Sequence, residues 1–124
     1  MATVVVVDDE TLIAEALAFL LEDLGHSVHT APDGRSAWEL IGRVDVALVI
    51  TDFMMPAMSG LELAAAIKAE PAYQHIPVVL LSAAQAAVGR AHSELFAAVF
   101  EKPCSPVELL GTVERLLNGS GHNG

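Results

Sequence analysis

Cations are scarce in this chain. Six Lys and Arg stand against sixteen Asp and Glu, a formal net charge of −10 over 124 residues. Direct binding to nucleic acid needs clustered cations against phosphate, so that class of function has no support. Cysteine is nearly missing as well. With Cys104 alone, no internal disulfide framework can form, which suits a reducing cytoplasm. No apolar run approaches the ~20 residues that a membrane-spanning helix needs. The N-terminus reaches Asp8-Asp9 without a basic segment, so it does not read as a secretory signal, and no membrane role is expected. G-x-G-x-x-G is spelled only at residues 119–124, after a helix-period stretch rather than after a strand, and G-x-x-x-x-G-K-[ST] does not occur, so dinucleotide and nucleoside triphosphate sites lack support. His26, His29, His75, His92 and His122 are scattered without ligand spacing, so solvated histidine is the expectation for each.

What is present is apolar sequence, 53% of the chain, enough for one well-buried domain. Residues 3–7 form a β-branched run that reads as a central strand. From Glu10 the period becomes helical, with Ile13, Ala16, Leu17, Leu20, Leu21 and Leu24 on the expected inner side and Gly25 at the C-cap. Residues 27–31 read as an edge strand, Pro32-Asp33-Gly34 as a turn and 36–43 as a short helix. Residues 44–51 form a third strand. A helix over 61–69 follows, with Ser59 as N-cap and Leu63, Ala64 and Ile67 inside. Residues 78–82 are a fourth buried strand. The Ala-rich stretch 83–96 predicts a helix that Gly89 weakens. Residues 98–101 are a fifth strand. Ser105 caps a last helix with Pro106 at its first position and Val107, Leu110, Val113, Leu116 and Leu117 inside. The domain is expected over residues 1–118, with 119–124 a flexible tail or the start of a linker.

Strands alternating with helices argue an α/β fold with a parallel sheet. Right-handed crossovers then put every strand's C-terminal end on one edge, where sites are built. Asp8-Asp9, Asp52, Ser82 and Lys102 occupy those ends. Singly, each has an ordinary explanation as a cap, a turn former or a surface amine. Together they converge. Three carboxylates in one cleft repel unless a cation neutralises them, and oxygen ligands suit Mg²⁺ or Mn²⁺. A metal beside a free carboxylate and an ammonium is an arrangement for phosphoryl transfer, with Asp52 a competent nucleophile. Ser82 could donate to a phosphoryl oxygen. Met54, Met55 and Met58 are read as packing residues. Cys104 has no case as a nucleophile.

The run D-x-x-M-P-x-M-S-G, met by Asp52, Met55, Pro56, Met58, Ser59 and Gly60, resembles the response-regulator receiver domains of two-component signalling. Asp8-Asp9, Asp33-Gly34, Ser82 and Lys102-Pro103 fill further family positions in order. The resemblance implies a doubly wound five-stranded parallel sheet of order 2-1-3-4-5 with five helices, the flavodoxin-like receiver fold. It implies that Asp52 accepts a phosphoryl group from a histidine kinase or histidine phosphotransfer protein. Asp9, Asp52 and the main-chain carbonyl of Met54 would ligate Mg²⁺, with Asp8 acting through metal-bound water. Lys102 would pair with Asp52, the Lys102-Pro103 peptide would be cis, and Ser82 would follow the phosphoryl group. The surface of the fourth and fifth helices would serve partners or a homodimer.

Two departures matter. Many members carry Tyr or Phe three residues before the lysine. Here that residue is Val99, and Phe100 falls on the opposite face of the strand. Met54 and Ala84 stand where relatives often place polar groups that position a hydrolytic water, so slow self-dephosphorylation is expected. The rival readings are a receiver-like module that works without phosphorylation and an aspartyl-nucleophile phosphohydrolase. The second wants an aspartate where Met54 stands. The chain is therefore expected to catalyse only its own modification, in the cytoplasm.

Overall fold

The computed structural model describes residues 2–83 and 86–122. Strand β1 (Thr3–Val7) pairs with β2 (Ser27–Ala31) on one side and β3 (Leu48–Thr51) on the other. Strands β4 (Val78–Ser82) and β5 (Ala98–Glu101) complete a parallel sheet of order β2-β1-β3-β4-β5. Helices α1 (Thr11–Asp23), α2 (Gly34–Arg43), α3 (Gly60–Ala69), α4 (Ala86–Ala91) and α5 (Pro106–His122) fill the crossovers. The doubly wound topology is the expected one.

Alternation along the strands builds two cores. Val5, Val7, Val49, Val78 and Leu80 face one apolar layer with Ala37, Ile41, Leu63, Ala64 and Ile67 from α2 and α3. Val4, Val6, Leu48, Ile50, Val79 and Leu81 face the other, with Ala14, Leu21, Leu109 and Val113 from α1 and α5. Fully burying a valine is worth roughly 1.5–3 kcal/mol, so the four valines at positions 4–7 commit β1 to the centre of the sheet.

Several local readings change. Strand β3 covers Leu48–Thr51 and not 44–51; Leu48 stands opposite Val4, and the Ala47 N–H donates to the Thr3 carbonyl at 2.8 Å where β1 begins. Helix α2 starts at Gly34, since Asp33 acts as N-cap and accepts the Ser36 N–H at 2.8 Å. At α3, Ser59 caps as expected and Glu62 closes a capping box. Among the described residues helix α4 covers Ala86–Ala91 and not the full expected stretch 83–96. Past Ala91 the chain turns instead, with His92 N–H to Gly89 O and Leu95 N–H to His92 O.

The inner faces of two helices differ in part: Leu17 and Leu21 of α1 and Leu110, Val113, Leu116 and Leu117 of α5 pack in the core layer as expected. In α1, Ala14 and Leu21 are buried while Ala16 and Leu24 are exposed. The helix is apolar nearly all round, so periodicity alone could not fix its face. In α5, Leu109, Thr112 and Val113 are buried and Val107 is 80% exposed. Helix α5 runs on to His122, past the boundary expected at residue 118. His26 is not solvated. Its ring is 8% exposed, Nδ1 accepts the Ala2 N–H at 3.2 Å, and Nε2 pairs with Glu114 on α5.

Candidate functional site

The C-terminal edge of the sheet carries the site. Asp8 and Asp9 follow β1, Asp52 follows the adjacent β3, Ser82 ends β4 and Lys102 follows β5. The main chain ties these ends together: Asp52 N–H donates to Val7 O at 2.9 Å, and Lys102 N–H to Ser82 O at 2.9 Å. The Lys102-Pro103 peptide is cis, as expected.

Lys102 bridges the acids. Its Nζ donates to Asp8 Oδ2 at 3.1 Å and lies 3.5 Å from Asp52 Oδ1 and 3.9 Å from Glu10 Oε1. The expected pairing with Asp52 is therefore the longer contact. Asp8 is the most buried of the three acids, 4% exposed, so it shares least with water and gains most from the ammonium. Its Oδ1 accepts the Glu10 N–H at 2.9 Å. Burial works to lower the Lys102 ammonium; the Asp8 hydrogen bond and the charges of Asp52, Asp8 and Glu10 outweigh it, and the net shift is upward.

Asp52 is held at one oxygen. The Phe53 N–H donates to Oδ1 at 2.9 Å, the same oxygen that faces Lys102. Burial pushes this carboxyl above its ordinary range; Lys102 pulls it down, Asp8 adds to the rise and the Phe53 N–H opposes it.

One carboxylate oxygen each from Asp8, Asp9 and Asp52 lie within 4.8 Å of one another. Three hard oxygen donors at that spacing fit Mg²⁺ or Mn²⁺, and a net negative charge remains after Lys102 is counted. Ser82 is buried at the end of β4. Ala84 lies outside the described residues. Met55 and Met58 pack against the core as read, whereas the Met54 side chain is exposed, a correction to its packing role. Cys104 is part-buried, and burial raises its thiol, followed by the charge of Glu108. A raised thiol carries less of the nucleophilic thiolate.

The sequence did not reveal Phe53 or Thr51. The Phe53 contribution is a main-chain N–H, which no side-chain pattern encodes. Thr51 is fully buried and its hydroxyl donates to the Asp52 carbonyl at 2.8 Å. Its one signal was a hydroxyl in an otherwise aliphatic strand.

A family model described as the response regulator receiver domain matches residues 4–114. The chain belongs to the response regulator receiver family. Among curated proteins it is 38% identical over 79 residues to a chemotaxis protein CheY homolog of Campylobacter jejuni, covering 62% of this chain and 61% of that one. It is 32% identical over 113 residues to protein PilG of Pseudomonas aeruginosa, covering 90% and 84%. Of the first curated relatives it matches, the chain spans only 10% of the longer ones. A receiver domain of a signal transduction histidine kinase from Syntrophus aciditrophicus superposes with a TM-score of 0.90 at 30% identity, covering 100% of this chain and 96% of that one. The response regulator TrrA of Thermotoga maritima, solved in complex with Mg²⁺ and BeF, superposes with a TM-score of 0.82 at 30% identity, covering 94% and 99%. This receiver is thus a two-component signalling domain. Among the described residues no helix is long and apolar enough to cross a membrane.

Proposed function

We propose that Asp52 is the phosphoryl acceptor of this receiver and that a histidine kinase or histidine phosphotransfer protein is its donor. The observation that supports this is the cluster itself: three carboxylates within 4.8 Å of one another, with Lys102 Nζ 3.5 Å from Asp52. Asp9, Asp52 and the Met54 carbonyl would hold Mg²⁺ or Mn²⁺, with Asp8 acting through metal-bound water. When bound, the cation supplies charge neutralisation for the phosphoryl oxygens. Asp52 attacks phosphorus through the oxygen that Phe53 and Lys102 leave free; the P–N bond of the donor phosphohistidine breaks and its electron pair returns to the imidazole. Lys102 shares the phosphoryl charge, and Ser82 donates to one of its oxygens. The product is an aspartyl phosphate, and the domain turns over no metabolite.

Donor docking has a natural surface beside the cleft. Helix α1 exposes Leu12 and Phe19, 81% and 70% exposed. Ile13, Ala16, Leu17 and Leu20 line an adjoining groove of about 580 Å³ together with Lys102 and Cys104. The surface of α4 and α5 remains for an output partner or a homodimer, with no direct nucleic-acid contact, in the cytoplasm.

The test is intact mass after incubation with acetyl phosphate and Mg²⁺. One added phosphoryl group is expected on the wild type, and none on Asp52→Asn or without metal. Absence of any gain, also with a histidine kinase, would favour the reading as a module that works without phosphorylation.

A further inference from the structure

We infer that Thr51 is a positioning residue for phosphoryl transfer, acting on Asp52 through the main chain. The inference rests on Asp52 being the acceptor. Thr51 pairs in register with Val7 on β1 and Leu80 on β4, both members of the apolar layer under α2 and α3. It is fully buried there. Valine would fill that place with better strand propensity and no polar atom to satisfy. A hydroxyl in that position therefore needs a reason.

The reason lies in one peptide plane. The Asp52 carbonyl and the Phe53 N–H belong to the same rigid unit. Thr51 Oγ1 donates to that carbonyl at 2.8 Å, and the N–H at the other end donates to Asp52 Oδ1 at 2.9 Å. Thr51 has one hydroxyl proton. The second acceptor in reach, Met55 Sδ, stands 4.0 Å away, so the carbonyl takes the bond. Asp52 itself lies just past the end of β3, where the ladder no longer orients its carbonyl. Gly60 closes the other side: a Cβ there would sit 2.1 Å from the Asp52 carbonyl oxygen, and its N–H donates to Phe53 O at 2.8 Å. The plane is held by Thr51 and Gly60 and aims the N–H at one carboxylate oxygen. That commits Oδ1 and presents Oδ2 to the phosphorus. Without the hydroxyl the plane can rotate, Oδ1 keeps only its contact with Lys102, the carboxylate is less firmly oriented, and fewer encounters meet the donor in line.

The test compares Thr51→Val with Thr51→Ser. With Mg²⁺ and acetyl phosphate saturating, T51V should be phosphorylated about ten-fold more slowly than wild type, with the half-saturating donor concentration little changed. T51S, which keeps the hydroxyl, should stay within about two-fold of wild type. The Phe53 amide proton, read by NMR without metal or donor, should move upfield in T51V and hold its position in T51S. A T51V protein with wild-type rate and an unmoved Phe53 amide overturns the inference. So does a T51S protein as slow as T51V, because the methyl and not the hydroxyl would then matter. Should wild type accept no phosphoryl group, Asp52 is not the acceptor and the function proposed for the site falls; an unmoved Phe53 amide would separately overturn the positioning role. If T51V does not fold, Thr51→Ala against Thr51→Ser makes the same comparison.

Discussion

Asp52 works against the fold that holds it. Burial, then Asp8, raise its carboxyl while Lys102 and the Phe53 N–H only partly compensate. A carboxyl raised on folding is one whose proton the native state prefers. Its contribution to stability is present at acid pH and is lost as pH rises through the folded value. At neutral pH the ionised group therefore destabilises the domain. Asp52→Asn should raise the free energy of unfolding by about 1 kcal/mol at pH 7, a figure kept small because the site is part-exposed. That gain should shrink as the pH approaches the carboxylate range. Urea unfolding of both proteins between pH 4 and 8 checks it; equal stabilities throughout would contradict it. Lys102 has the same sign of pH dependence, but there the ionised form is the one the fold favours. Its raised ammonium stabilises the fold fully below its unfolded value and loses that contribution as alkali takes it through the folded one.

At the scale of elements, tight approaches decide what local propensity cannot. In the loop from β3 to α3, Ala57 sits at φ 70°, and the Met58 N–H reaches back to Pro56 O at 2.7 Å. This left-handed turn brings Ser59 to cap α3 and Gly60 against the Asp52 carbonyl. Gly89 does comparable work in α4. A Cβ at that position would meet Leu80 Cδ2 at 2.4 Å, with the Val99 methyls at 3.3 and 3.4 Å. Gly89→Ala gains up to about 1 kcal/mol in helix propensity. Overpacking against a fully buried Leu80 costs about 1–3 kcal/mol, so the net change should be destabilising, by roughly 1 kcal/mol. Chemical denaturation measures it; a more stable variant would show that α4 lifts away freely. The same contact explains the fate of Val99, which packs in the layer beneath α4, while Phe100 packs in the opposite one with α5. An aromatic switch on the α4 side is therefore absent from this strand.

For the whole molecule, chemistry and lifetime are separate properties. The acids and lysine that would form the aspartyl phosphate come from β1, β3 and β5. The side chains that would hasten its hydrolysis belong to the loops that follow. Met54 is exposed and apolar, and Ala84 brings no polar group. Neither can hold a water in line. The phosphorylated domain should lose its label slowly, and a decay assay showing loss within seconds would contradict that. Much of this was legible from the chain. Unbroken aliphatic runs named β1, β3 and β4, because a parallel strand buried on both faces must be aliphatic throughout. Right-handed crossovers then sent Asp8, Asp9, Asp52, Ser82 and Lys102 to one edge. The chain could not decide that Ala14 rather than Ala16 of α1, or Leu109 rather than Val107 of α5, is buried, since both helices carry more apolar residues than one buried stripe requires. Nor could it show that His26 is enclosed by Glu114, that Lys102 lies nearer Asp8 than Asp52, or that Thr51 grips the Asp52 carbonyl. Sequence alone determined the order of elements and the set of reactive groups, because periodicity and topology depend on neighbours along the chain. Only the tertiary structure decided which oxygen meets which proton, because those distances are set by packing between residues far apart in sequence.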